Sequence, residues 1–354
     1  MKNRMDRLRH LLEKEELDAY LVTNHYNLRY LTRFTGTTAI AVIAKDQAFF
    51  ITDSRYTEQA KKQVPDFEIV QNRGPIFDEA AKLCDKYHWK TLAIEENDIT
   101  FAQYAELEAK IASELVPTSG LVEGLRQVKD QSEIELIEKA VEIADKGFMH
   151  VLETIQPGLT EIEVANQLDF FMRSLGATGT SFDTILASGK RSALPHGVAS
   201  EKVIEEGDLI TLDFGCYYQG YVSDMTRTFA IGEVPDQLHE IYNIVYEANR
   251  RVREIARPGM RSDELDSIAR DYITEQGYGD YFGHGTGHGI GLEIHEGPVV
   301  SPRSEEIYEV GNVITDEPGI YLPGIGGVRI EDDLLLTPEG NRVLTKSPRD
   351  LIVL

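Results

Sequence analysis

A stretch of sequence that occurs twice constrains this chain more than any other feature. The pattern Glu-x-x-x-Pro-Gly, followed by a helix that ends in glycine, runs from Glu153 through Pro157-Gly158 to Leu175-Gly176. It runs again from Glu254 through Pro258-Gly259 to Gln276-Gly277. Leu159 matches Met260, Val164 matches Leu265, Phe171 matches Tyr272 and Met172 matches Ile273. In each copy Pro-Gly stops one helix, Thr160 or Ser262 is available to cap the next, and glycine ends it. Two copies are too few for a solenoid; they predict a domain built by duplication.

After the first copy comes Leu209 to Thr228, LITLDFGCYYQGYVSDMTRT, which reads as a β-hairpin. Its turn is expected at Gln219-Gly220, where glycine supplies the positive φ of a tight reversal. Folding about that turn brings Asp213 and Asp224 roughly opposite each other on one face, where cross-strand Cβ atoms lie about 4.5–5.5 Å apart. Two ionised carboxylates that close repel, so a proton or a cation must stand between them. Duplication then demands a second such hairpin. Asn312–Thr315 and Gly327–Leu336 supply its strands, around a loop rich in proline and glycine, and carry Glu317 and Glu331. Two related hairpins would turn two carboxylate pairs toward one centre. Reading the four acids as solvated surface leaves their duplicated placement unexplained.

Four carboxylates call for more than one positive charge, and histidine completes the usual ligand set. The segment FGHGTGHGIGLEIHEGP, residues 282–298, holds His284, His288 and His295. The spacing of four between the first two is that of a zinc-binding helix. However, glycines at 283, 285, 287, 289 and 291 each cost a helix roughly 1 kcal/mol relative to alanine. The segment is therefore extended, with residues 284, 286 and 288 on one face, and its glycines permit close approach of a neighbouring strand or ligand.

The length of 354 residues predicts two domains. Residues 1–120 alternate helix and strand signals, including a hairpin Ala39–Ala44 and Ala48–Thr52 that turns at Lys45-Asp46. They form an α/β domain without a phosphate loop or a His/Asp/Glu cluster, fitted to oligomerisation or substrate gating. PTSGLVEG, from Pro117 to Gly124, opens a connecting region, assigned as linker over 121–130, and 131–354 is the domain with the chemistry. A formal net charge of −24 argues against nucleic acid and anionic membranes as partners. Cys84 and Cys216, far apart and outside any CxxC motif, give no disulfide framework. No signal peptide or membrane span is legible, so a cytoplasmic location is expected.

Taken in order, Pro195-His196-Gly197, Asp213, Asp224, Gly287-His288-Gly289, Glu317-Pro318-Gly319 and Arg329-Ile330-Glu331 resemble the creatinase/aminopeptidase family, most of all its Xaa-Pro peptidases. The resemblance is close over residues 125–354 and looser before them. It implies an α+β fold: a pseudo-symmetric pita-bread catalytic domain behind a creatinase-like N-terminal α/β domain, commonly as a homodimer. It also implies that Asp213 binds one divalent ion, His288 and Glu317 bind another, and Asp224 and Glu331 bridge both. An oxygen-rich set with one imidazole suits Mn²⁺, with Co²⁺, Fe²⁺ or Zn²⁺ as alternatives. By the same resemblance Glu317 is the proton acceptor, and His196 and His295 steady the scissile carbonyl and tetrahedral intermediate. His284 lines the proline side, and Arg329 reaches toward substrate or locks the bridging acid. The pattern departs from the family at Asp316, where an apolar residue is usual. On a regular strand its side chain points away from Glu317 and must find a cation, lie exposed or stay protonated.

The function implied is hydrolysis of the Xaa-Pro bond at the N-terminus of a dipeptide or short peptide. A methionine-aminopeptidase-like enzyme fits the ligands but not a 120-residue leading domain. A creatinase-type amidinohydrolase fits the two domains but not the intact ligand set. A non-catalytic peptide-binding protein on the same fold would be expected to have lost ligands.

Overall fold

A computed structural model describes residues 2–354. The chain divides into two compact units, Met1–Arg126 and Gln127–Leu354. Met1 lies outside the described residues, and the first helix spans Lys2–Lys14.

In the first unit six strands form one sheet, ordered Glu68–Gln71, Ala48–Thr52, Ala39–Ala44, Ala19–Val22, Thr91–Glu95 and Glu114–Thr118. The hairpin from Ala39 to Thr52 is antiparallel, with Ile43 opposite Ala48, while the outer pairs on both sides are parallel. The central strands are buried almost throughout, which is why they read as unbroken apolar runs rather than alternating ones.

The segment expected as a linker, 121–130, requires correction. Leu121–Gln127 is a helix that buries Val122 and Leu125, residues three apart and hence on one face. The boundary between units falls at its end. Asp130 already belongs to the next helix, where its side chain accepts from the Glu133 amide.

The second unit repeats itself. Helices Gln131–Thr154 and Glu161–Ser174 form the first pair, and Asp236–Ile255 and Ser262–Glu275 the second. Gly158 and Gly259 leave the first helix of each pair with φ of 98° and 86°. Their amides donate to Ile204 and Tyr308 carbonyls, while Glu161 and Ser262 amides donate to Lys202 and Glu306. Each half buries its own core. One centres on Phe148, Leu168, Leu212 and Phe229, the other on Val245, Leu265, Ile314 and Val328. This is the two-fold arrangement the duplication predicted and the pseudo-symmetric pita-bread domain the family resemblance implied.

One cap differs between the halves. Thr160 closes a capping box with Glu163, but Ser262 lies inside its helix, behind the cap residue Arg261. The Ser262 hydroxyl instead donates to the Val299 carbonyl at 2.8 Å, so packing against that strand takes the cap's place.

Each expected hairpin is present but broken midway. Leu209–Phe214 pairs with Met225–Ala230, and beyond Gly215 the chain continues as a separate tip, Cys216–Tyr218 against Tyr221–Val222. Gln219 and Gly220 turn it with φ of 49° and 89°, as a type I′ turn requires. In the other half Val313–Asp316 pairs with Asp332–Thr337, and Gly319–Leu322 with Gly326–Arg329. The breaks fall beside the four acids, which frees their side chains from a continuous ladder.

Candidate metal centre

The two hairpins bring their acids to one pocket of about 650 Å³, lined among others by Asp213, Asp224, His196, His284, His288, His295, Glu317, Arg329 and Glu331. Every residue named from the sequence for the site therefore lies on its wall. Asp213 pairs in register with Thr226, so Asp224 stands diagonal to it rather than directly opposite. Asp224, Glu331 and His288 present ligand atoms all within 4.8 Å of one another.

His288 sits on the short strand Gly287–Gly289, inserted between Glu296–Val300 and Val313–Asp316. A Cβ on Gly287 would overlap the Thr315 carbonyl, and one on Gly289 the Gly297 carbonyl; the alternating glycines permit this insertion. His284 is not on that strand but in the loop before it, so the shared face expected for residues 284–288 forms only in part.

The tautomers follow from their neighbours. His288 Nδ1 lies 3.1 Å from the Gly289 carbonyl, which only accepts, so Nδ1 carries the proton. Its Nε2 lone pair then faces Asp224 Oδ2 and Glu317 Oε1, each 3.5 Å away. A lone pair against two ionised carboxylates is repulsive, so a proton or a cation must stand between them, and a divalent ion would satisfy all three groups at once. Asp213 supplies a second sign: its Oδ1 is buried with no partner. These residues fit a divalent ion.

Burial raises the carboxyls. It is the main cause holding Asp224 well above the usual range, followed by the charges of Glu331 and Asp213. Burial also leads for Glu331, with Glu317 and Asp213 adding to it. Glu317 is raised for the same first reason, against opposing pulls from His284 and Arg329. Burial lowers His288, His284 and His295, which keeps each imidazole neutral. His196 and His295 are exposed on the pocket wall, the latter edge-on to His288 with ring centres 4.3 Å apart.

Arg329 is buried and largely committed. Its Nη2 donates to Asp213 Oδ2 at 2.6 Å, Nη1 to Tyr321 Oη at 2.8 Å, and Nε to Thr226 Oγ1 at 3.0 Å. Thr226 Oγ1 is 2.7 Å from Glu331 Oε2. The arginine thus pairs directly with Asp213 and reaches Glu331, the acid expected from the resemblance to bridge, only through a hydroxyl. Because Tyr321 accepts from Arg329, its own proton points to His284 Nε2, 2.8 Å away. His284 Nδ1 lies 2.8 Å from the Gly285 carbonyl, so both ring nitrogens are satisfied within the protein.

Thr226, Thr315 and Tyr321 were absent from the sequence reading. Thr315 Oγ1 accepts from the His288 amide at 3.0 Å and lies 3.4 Å from Glu317 Oε1. Strand periodicity could have found both threonines, since each stands two residues from an acid and so on its face. Tyr321 carried no such signal, because the chain breaks between it and Glu317.

Asp316 does point away from Glu317. It is fully buried, with Oδ2 accepting from Asn249 Nδ2 at 3.1 Å and Oδ1 unpartnered. Burial, then the charge of Asp332, push its pKa well above the usual range, against the opposing pull of Arg253.

Among the described residues no helix is long and apolar enough to cross a membrane. Residues 135–338 match the model of metallopeptidase family M24, and residues 4–128 that of the creatinase/prolidase N-terminal domain. The uncharacterized peptidase YqhT of Bacillus subtilis is 51% identical over 99% of this chain and 100% of its own length. The Xaa-Pro dipeptidase of Pyrococcus furiosus is 42% identical over 99% of this chain and 100% of its own length. The structure of an Xaa-Pro dipeptidase from Bacillus anthracis is 54% identical, covers 100% of this chain and 99% of that one, and superposes with a TM-score of 0.98. With the acids, the imidazole and the duplicated scaffold in place, the chain belongs to metallopeptidase family M24.

Proposed function

We propose that this chain is a metallo-exopeptidase that uses two divalent ions to cleave the bond between an N-terminal residue and proline in dipeptides or short peptides. The observation that carries the reading is the neutral His288 lone pair facing Asp224 and Glu317 across 3.5 Å. The named Xaa-Pro dipeptidases among its relatives support the substrate. Asp213 would hold one ion and His288 with Glu317 the other, with Asp224 and Glu331 shared between them. The oxygen-rich set favours Mn²⁺, with Co²⁺, Fe²⁺ or Zn²⁺ as alternatives. When bound, such a pair acidifies water and polarises a carbonyl.

The protein's own groups do the rest. Glu317 would accept the proton of the attacking water. His295 and His196, exposed at the mouth, offer N–H donors to the scissile carbonyl and its developing oxyanion. His284, with both nitrogens occupied, presents a ring face to the proline. Arg329 orients Asp213 through its 2.6 Å hydrogen bond. The buried, unpaired thiols support a cytoplasmic setting. We assign residues 1–126 to homodimer pairing or gating; a monomer by light scattering would overturn the pairing.

Hydrolysis of Ala-Pro, Ala-Pro-Ala and Met-Ala-Ser after Mn²⁺ or Co²⁺ loading tests the reading. Cleavage of Met-Ala-Ser alone would move the chain to the methionine-aminopeptidase class. Absence of both metal and cleavage would leave a peptide-binding protein. His295→Ala is expected to cost about 10²-fold or more in turnover with metal content unchanged. Equal metal loss in Asp224→Ala and His295→Ala would refute the division into ligands and donors.

The raised carboxyls also set a pH dependence. Asp224, Glu331 and Glu317 bind protons more tightly folded than unfolded, so their stabilising effect is complete below about pH 4 and is lost as pH rises through the folded values. The metal-free protein should melt progressively lower from there toward neutrality. Metal entry must expel those protons, so calorimetry in buffers of different ionisation enthalpy should register proton release. Proton-neutral binding would contradict the assignment.

A further inference from the structure

Thr226 has no side-chain freedom left. It is fully buried on the strand Met225–Ala230. Its Oγ1 lies 3.0 Å from Arg329 Nε and 2.7 Å from Glu331 Oε2. A guanidinium N–H can only donate and an ionised carboxylate can only accept, while a hydroxyl brings one proton. With Glu331 ionised, as a metal ligand must be, the order is forced: Arg329 donates to Thr226, and Thr226 donates to Glu331. The main chain reinforces the link, because the Glu331 amide donates to the Thr226 carbonyl at 3.1 Å. Arg227 Nη1 donates to the carbonyls of both Thr226 and Glu331.

We propose that Thr226 is a positioning residue: its hydroxyl fixes the plane of the Glu331 carboxylate and ties it to Arg329, and so sets the affinity of the shared metal position. This rests on the reading of Glu331 as a metal ligand. Without the hydroxyl the carboxylate can rotate about its last torsion, and Arg329 Nε loses its acceptor. Arg329 also holds Asp213 at 2.6 Å, so one hydroxyl orients acids from both halves of the duplicated domain. Groups that orient metal ligands in this way typically govern affinity by about 10–100-fold.

The test uses Thr226→Val, which keeps the shape and removes the proton, and Thr226→Ser, which keeps the proton. Mn²⁺ alone is titrated calorimetrically into the metal-free full chain, and kcat and KM for Ala-Pro are measured on the loaded enzyme. The valine variant is expected to bind at least one of two ions roughly 10–100-fold more weakly, with kcat falling more than KM rises. The serine variant is expected to restore affinity to within about threefold of the parent, on the same estimate. If the valine variant does not fold, Thr226→Ala takes its place in the comparison with serine. Valine or alanine binding as tightly as serine would overturn the proposal, as would a serine variant as weak as they are. A parent chain that binds no Mn²⁺ would instead overturn the metal reading itself, so the two failures are distinguishable.

Discussion

Asp224→Ala is expected to abolish metal occupancy and peptide turnover together while leaving the metal-free protein at least as stable as the parent. The first half follows from its place. Asp224 Oδ2 is 3.5 Å from His288 Nε2 and grouped with Glu331, so its loss removes one of the three donors that converge there. The second half follows from its environment. Burial and three or more neighbouring carboxylates hold Asp224 far above its ordinary pKa, and removing it relieves that strain. Elemental analysis, Ala-Pro hydrolysis and metal-free thermal melting read the three consequences. A variant that kept its metal, or whose metal-free form melted well below the parent, would refute this account of Asp224.

Asp332→Ala should act in the opposite sense and damage the fold. Asp332 lies behind the centre, fully buried. It accepts from Arg227 Nη2 at 2.8 Å, Arg349 Nε and Nη2 at 2.7 Å, Thr345 Oγ1 at 2.6 Å and Asn249 Nδ2 at 3.2 Å. Burial opposes its ionisation, but Arg227 and Arg349 outweigh it and hold the carboxyl below the usual range. Its stabilisation is therefore intact above that range and lost only in acid, where the folded group finally protonates. Removing it strands guanidiniums in the interior, at a cost of about 3–5 kcal/mol. For a unit of this size that is a fall in Tm of roughly 10 °C, and the acid limb of the stability profile should flatten. A loss below about 1 kcal/mol, the level of a surface pair, would show that water reaches the cluster.

Much of this was legible in the sequence because it rests on periodicity and covalent stiffness. Pro157-Gly158 and Pro258-Gly259 break helices wherever they stand, and the duplicated spacing placed Glu317 and Glu331 from Asp213 and Asp224. The alternating glycines forced an extended backbone at His288. What stayed hidden depends on long-range partners. Nothing local marks Arg329 as the partner of Asp213, 116 residues away, or Ser262 as a donor to Val299 rather than a cap. The helix Leu121–Gln127 was missed because Gly120 and Gly124 suggest a linker, whereas Val122 and Leu125 decide the matter by burial. Asp316 is similar: its fate turns on Asn249 and Asp332, which meet it only in the folded chain.

The duplication also carries an asymmetry. Ile210 pairs with Ser188 in one half, and Ile314 pairs with Gly289 in the other. Ala187 accordingly occupies in the first half the station that His288 occupies in the second. A molecule of two identical halves would have offered a centre of acids alone, with equal claims on any cation. If two ions bind as proposed, a single imidazole on one side makes their positions unlike in charge and softness, and they should load in sequence.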